Sequence, residues 1–334
     1  MSRKEVHFMT SYKSIYGIHI QEFIGMKRKL GYKYVDNAIH LAKIDILAAQ
    51  NNETSLGITK EFAERWMEKR PHESLRFQHK RISNLTYFSS YLCSVGIQSY
   101  VPKLPPLSRS NYIPYIYSPN EIQALFEACD QLRVDLLLMK SCLICMPVLI
   151  RLLYSTGIRI SEAIALKNED VNLDENYLHI KDCKNGKDRM IPMSASQAQV
   201  CRDYISYRDK LPIEKRSDYF FVKLNGGTFR KEVVGKWFKK CLIKAGIPYI
   251  GQMQGPRIHD LRHTFAVSSL ANMAKSGIDL YVSLPILSNY LGHQSLDATN
   301  QYVRLTANIY PDLIKDVDMI CLDVFPKYRH YEAD

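Results

Sequence analysis

No stretch of this sequence is both long enough and apolar enough to cross a bilayer. The longest uncharged apolar run, about Cys142 to Ile150, is roughly half the needed length and contains Pro147. The basic residues of the opening MSRKEVHFMTSYKS have no apolar segment behind them, so a secretory leader is not expected and the chain is placed in the cytoplasm. Internal repeats and low-complexity tracts are absent. The eight cysteines are dispersed through a large chain rather than arranged as a disulfide framework, which argues for reduced thiols. Cys142 and Cys145 form a C-x-x-C, but no second pair or C-x-x-H completes four zinc ligands, and the surrounding SCLICMPVLI reads as core. Clustered Asp and Glu oxygens of the kind two-metal nucleases use are also lacking, so neither a metal nor a cofactor is expected.

What the chain does have is positive charge and length. A formal charge of +11 points to a polyanionic partner. At 334 residues, with 46% hydrophobic residues, the chain is long enough for two globular cores.

Residues 1–100 carry apolar positions at helical period, with amphipathic segments near Ile15–Leu30, Val35–Ala49, Thr59–Glu68 and Leu75–Val95. Residues 101–117 contain Pro102, Pro105, Pro106 and Pro114, a density that prevents a regular helix and reads as an extended linker. Ser118-Pro119-Asn120-Glu121 then supplies a capping serine, a proline at the first helical position and a glutamate three residues after the cap. This opens a second, mostly helical domain over 118–310. Between about Val171 and Met193, VNL, NYLHIKD and RMIPM read as three short strands, the last two separated by the hairpin dipeptide Asn185-Gly186. A tail, 311–334, follows. The expected fold is therefore mainly α in two domains, with a small antiparallel three-stranded sheet in the second.

Four motifs in the second domain carry chemistry: TGIRISE with Arg159, CKNGKDRMIPM with Lys184, HDLRHTFA with His259 and Arg262, and LGHQSLDATNQY with His293 and Tyr302. Arg262 lies one turn after His259, on the same helix face. Gly292 closes the apolar PILSNYL helix, Ser295 can cap the next, and Tyr302 lies about two turns into it, so His293 and Tyr302 can face one pocket. Two guanidiniums suit a phosphate that gains charge as phosphorus becomes pentacoordinate, since each fork pairs two oxygens. A phenol attacking a phosphodiester would store the broken bond as a phosphotyrosine link.

In order and spacing these motifs resemble the tyrosine recombinases, the phage-integrase and Xer-like family, over roughly residues 118–310. The resemblance implies a site-specific DNA recombinase or integrase, with a helical core-binding domain and a catalytic domain. It casts Tyr302 as nucleophile, Arg159 and Arg262 as phosphate ligands, His293 as a donor to a non-bridging oxygen, and His259 as a proton acceptor or donor at the attacking side. Lys184 matches the lysine that protonates the departing 5′ oxygen, with Lys187 a competitor; Lys187 and Arg189 otherwise read as DNA-backbone contacts. Glu162 is either a carboxylate that orients an active-site base or arginine or a solvated surface group. His263, one turn from His259, reads as packing or capping locally.

Basic clusters at Lys27, Arg28 and Lys29, and at Arg76, Lys80 and Arg81, are candidate DNA contacts of the first domain. The resemblance further implies double-stranded DNA with inverted-repeat core sites as partner, a homotetramer on DNA that is monomeric or weakly associated off it, accessory directionality or host factors, and a location at the nucleoid. It also implies a tail whose apolar stripe (Ile309, Leu313, Ile314, Val317, Ile320, Val324) packs on its own domain or docks on a neighbouring protomer. The interval from Arg262 to His293 is longer than in compact members, through residues around Lys275 to Pro285. A type IB topoisomerase, which uses nearly the same pocket, and an inactive DNA-binding homologue are the alternatives.

Overall fold

The computed structural model describes residues 12–106, 113–132, 141–181, 188–211, 217–249, 255–293, and 299, 302, 303, 305, 306, 309 and 310. The chain divides into two compact units, Met1–Asn111 and Tyr112–Asp334.

In the first unit the amphipathic segments fold as α1 (Gly17–Lys29), α2 (Val35–Gln50), α3 (Lys60–Met67) and α4 (Leu75–Ser94). Thr59 and Ser74 cap α3 and α4, their hydroxyls accepting from the backbone N–H of Phe62 (3.1 Å) and Phe77 (3.2 Å). The apolar faces meet in one core containing Phe23, Leu41, Phe62, Trp66, Leu85 and Phe88. The start of the proline-rich segment is extended but not loose. Side chains of α4 donate to its carbonyls: Ser89 to Tyr100 (2.5 Å), Thr86 to Pro102 (3.1 Å) and His79 to Pro105 (2.7 Å). Proline has no N–H to offer, so its carbonyl is the group left to anchor it.

One candidate DNA contact is overturned here. Arg81 is fully buried, paired with Glu73 at 2.8 Å and donating to the carbonyls of Trp66 and Glu68, so it ties the end of α3 to α4 and presents no charge to a partner. Its sequence neighbours Arg76 and Lys80 are exposed, as is Arg28. Lys27 is partly covered and sits over the Phe23 ring. Four-residue spacing put Arg76 and Lys80 on one helical face; Arg81, one position further, turns inward.

The second unit opens with α5 (Pro119–Asp130), started by a capping box in which Ser118 and Glu121 satisfy each other's backbone N–H groups. α6 (Met146–Thr156) is buried along most of its length and packs against α5, α8 (Ala195–Arg208), α9 (Lys231–Lys244) and α10 (Asp260–Lys275). Between α6 and α8 lie the short α7 (Ile160–Ala163) and an antiparallel sheet in the order β1 (Val171–Asn172), β2 (Tyr177–Ile180), β3 (Arg189–Pro192). Leu178 pairs with Ile191, and both are fully buried, so the inward face of this sheet closes on the helical core. Cys142 and Cys145 are core residues, the Cys145 thiol donating to the Val222 carbonyl at 2.8 Å. The longer interval between the arginine and histidine motifs becomes a turn through Ser276 and Gly277 and the first half of α11 (Leu280–Leu291).

Candidate functional site

Two chain turns bring the motif residues together. α6 stops at Gly157, whose φ of +61° a side chain would strain, and a Cβ there would lie 2.3 Å from the Phe265 ring of α10. That close approach brings the Gly157 carbonyl within 2.8 Å of Arg262 Nη1. α11 stops at Gly292, with φ +64°, where a Cβ would lie 3.1 Å from Arg189. Its terminal carbonyls receive the two motif arginines: Arg262 Nη2 donates to Leu291 (2.6 Å) and Arg159 Nη2 to Gly292 (3.0 Å).

Glu162 is the carboxylate that orders this cluster. It accepts from the Arg159 backbone N–H and guanidinium, both at 2.8 Å, and from Arg189 Nη2 at 2.8 Å. Burial pushes its carboxyl up, but the bonds from Arg189 and Arg159 outweigh that and hold it below the usual carboxylate range. Arg189 is thereby turned into the cluster, where sequence reading had placed it on the DNA backbone. Arg262 itself is pulled down to about 10, by burial first and by the charge of Arg159 second. Guanidiniums held this close repel one another, which favours arrival of an anion.

The histidines line the phenol. Tyr302 is buried, at 1% exposure; its hydroxyl lies 3.0 Å from His263 Nδ1, and the His293 ring stacks on it at 6.0 Å. His293 Nδ1 meets Thr299 Oγ1 at 2.8 Å. Desolvation, reinforced by Arg262 and Arg159, pushes the His293 pKa down to about 4. The His259 ring reaches the surface and meets His263 edge to face at 4.9 Å. Its pKa is also lowered to about 4, by the protein packed around it and then by His263 and Arg262, with the Asp260 carboxylate working against the shift.

Of the residues named from sequence, the structure thus gathers Arg159, Glu162, His259, Arg262, His293 and Tyr302 around the Gly292 turn. Lys184, Lys187 and Ser295, with the tail beyond Tyr310, lie outside the described residues. His263, read as packing or capping locally, instead contacts the phenol directly. Its signal was available: four residues after His259 it shares that residue's helix face.

Comparison with known proteins shows which family the chain belongs to. The model of the phage integrase family matches residues 116–308. A putative integrase/recombinase of Sinorhizobium fredii is 31% identical over 300 residues, covering 89% of this chain and 94% of the relative. The tyrosine recombinase XerA of Pyrococcus horikoshii is 29% identical over 231 residues, 69% of this chain and 71% of the relative. Among solved structures, a XerH site-specific recombinase in a post-cleavage complex with a palindromic difH substrate superposes with TM-score 0.59 at 20% identity, covering 85% of this chain and 79% of that one. A lambda integrase dimer on a core site gives 0.57 at 16% identity, covering 85% and 93%. Those likenesses carry the fold. This chain belongs to the phage integrase family of tyrosine recombinases, enzymes that cleave and rejoin DNA.

Proposed function

We propose that the chain is a site-specific recombinase of a mobile element, acting at the nucleoid on double-stranded DNA with inverted-repeat core sites. The observation that carries this reading is the convergence of Arg159, Arg262, His293 and Tyr302 on one glycine turn. Tyr302 attacks a backbone phosphorus, forming a 3′-phosphotyrosyl link and freeing a 5′ hydroxyl. Arg159 and Arg262 neutralise the charge that develops on the non-bridging oxygens, and His293 donates to one of them. Lys184, on the hairpin tip read from the sequence, protonates the departing 5′ oxygen. The 5′ hydroxyl of a partner strand reverses the link, so bond energy is conserved and exchange proceeds in pairs through a Holliday junction within a tetramer.

Exposed Arg28, Arg76 and Lys80, with partly covered Lys27 and the hairpin's Lys187, contribute phosphate contacts and hence salt-dependent affinity. A nicked suicide duplex carrying DNA that flanks the gene should trap a covalent adduct with the wild-type chain and none with Tyr302→Phe. Equal trapping by the variant rejects Tyr302 as nucleophile.

A further inference from the structure

The buried phenol of Tyr302 has a ring nitrogen beside it: His263 Nδ1, 3.0 Å from the hydroxyl. Both side chains are enclosed, His263 at 7% exposure and Tyr302 at 1%, and their rings stand 5.5 Å apart. The other two site histidines are placed differently. His293 stacks its face on the phenol and directs Nδ1 to Thr299. His259 touches the edge of His263 and extends to solvent.

Burial lowers the His263 pKa to about 4, with the charges of Arg257 and Arg262 and the ring of His293 acting the same way. The imidazole is therefore neutral near pH 7, and a neutral imidazole offers one nitrogen as an acceptor. A phenol enclosed in protein has no bulk water to take its proton, so that acceptor has to be built in.

Building on the phosphotyrosyl mechanism above, we propose that His263, rather than His259, takes the proton of Tyr302 as the phenol attacks. The Tyr302 O–H bond breaks and its proton passes to Nδ1 while a P–O bond to Tyr302 forms. The bond from phosphorus to the 5′ oxygen breaks, its electron pair remaining on that oxygen, which is protonated by Lys184. Rejoining runs the same path backwards, with His263 returning the proton to the phenolate.

The test uses the full-length chain and a nicked duplex recovered from a randomised pool by covalent capture with wild-type protein. Single-turnover adduct formation is followed for His263→Ala and His263→Gln, with duplex affinity measured in parallel. His263→Ala should react at least about 100-fold more slowly at unchanged affinity, and added imidazole should restore about tenfold or more in proportion to its free base. His263→Gln keeps a hydrogen-bonding side chain but cannot take up the proton, so it should be comparably slow. A His263→Ala rate within about threefold of wild type, or a slow rate that imidazole leaves unchanged, overturns the proposal. If the alanine variant does not fold, His263→Gln decides: a wild-type rate overturns it, and a 100-fold loss at full affinity supports it. Failure of the wider mechanism looks different: wild-type protein captures no duplex, or Tyr302→Phe captures as much.

Discussion

Arg159 and Arg262 donate to consecutive backbone carbonyls, those of Gly292 and Leu291, at 3.0 and 2.6 Å. The two guanidiniums come from helices far apart in sequence, yet both are referenced to the turn that carries His293. A shift of either arginine therefore moves the imidazole as well. Within the proposed mechanism, the groups that bind phosphate and the group that donates to it are positioned by the same few bonds.

Arg262→Lys tests that coupling. A lysine keeps the charge but cannot bridge the carbonyls of Gly157 and Leu291, as the arginine does at 2.8 and 2.6 Å. Charge-assisted hydrogen bonds contribute roughly 1.5–3 kcal/mol each, so loss of one should lower unfolding free energy by about 2 kcal/mol. Adduct formation should fall by about 100-fold or more, the scale of losing one donor to a charged transition state. Urea denaturation and single-turnover cleavage measure the two effects. Wild-type values in both would show that the bridge is dispensable.

The lowered histidine pKa values give a pH signature. His263 titrates near 6.5 when unfolded and at about 4 when folded, so between these values the unfolded chain holds the extra proton. Stability is fully present above about pH 6.5 and declines as pH falls toward 4. At 1.36 kcal/mol per unit, the buried His263 should account for on the order of 2 kcal/mol between pH 6.5 and 4.5. The lowered carboxyls of Glu73 and Glu162 add their loss only below about 4.5, so the windows separate. Denaturation midpoints across this range should slope less in His263→Gln than in wild type, and an equal slope would remove His263 from the account.

The fold was legible wherever a local rule decides it. Helix period set the four segments of the first unit, and Ser118-Pro119-Asn120-Glu121 set the start of α5. The turn residues Asp174-Glu175-Asn176 marked the break between the first two strands, while Asn185-Gly186, read as the turn before the third, lies outside the described residues. Motif spacing collected the site because helix geometry carries His259 to Arg262 and the glycine stop carries Leu291 to His293. The overturned contact at Arg81 and the partners found for Arg189 and His263 share one cause. Arg81, Arg189 and His263 are polar side chains whose surroundings come from elements distant in sequence, so whether each meets solvent or a buried partner is a tertiary fact. Basic clustering marked Arg81 as surface because charge is costly inside, but Glu73 and two carbonyls offset that cost.

Arg81 offers the sharpest contrast between the two readings of a basic cluster. As a DNA contact, its removal would weaken affinity and leave stability within about 0.5 kcal/mol. As a buried ion pair it should do the reverse, because the Glu73 side chain is only 3% exposed and would be left without its guanidinium. Removing one partner of a buried pair typically costs about 3–5 kcal/mol. Arg81→Met should therefore lower the urea midpoint sharply, and Arg81→Met with Glu73→Leu should recover part of the loss by removing the stranded carboxylate. Recovery is incomplete, since the carbonyls of Trp66 and Glu68 also lose a donor. Salt-dependent DNA affinity of the refolded double variant should match wild type. An Arg81→Met chain that is fully stable yet binds DNA weakly would return this arginine to the interface.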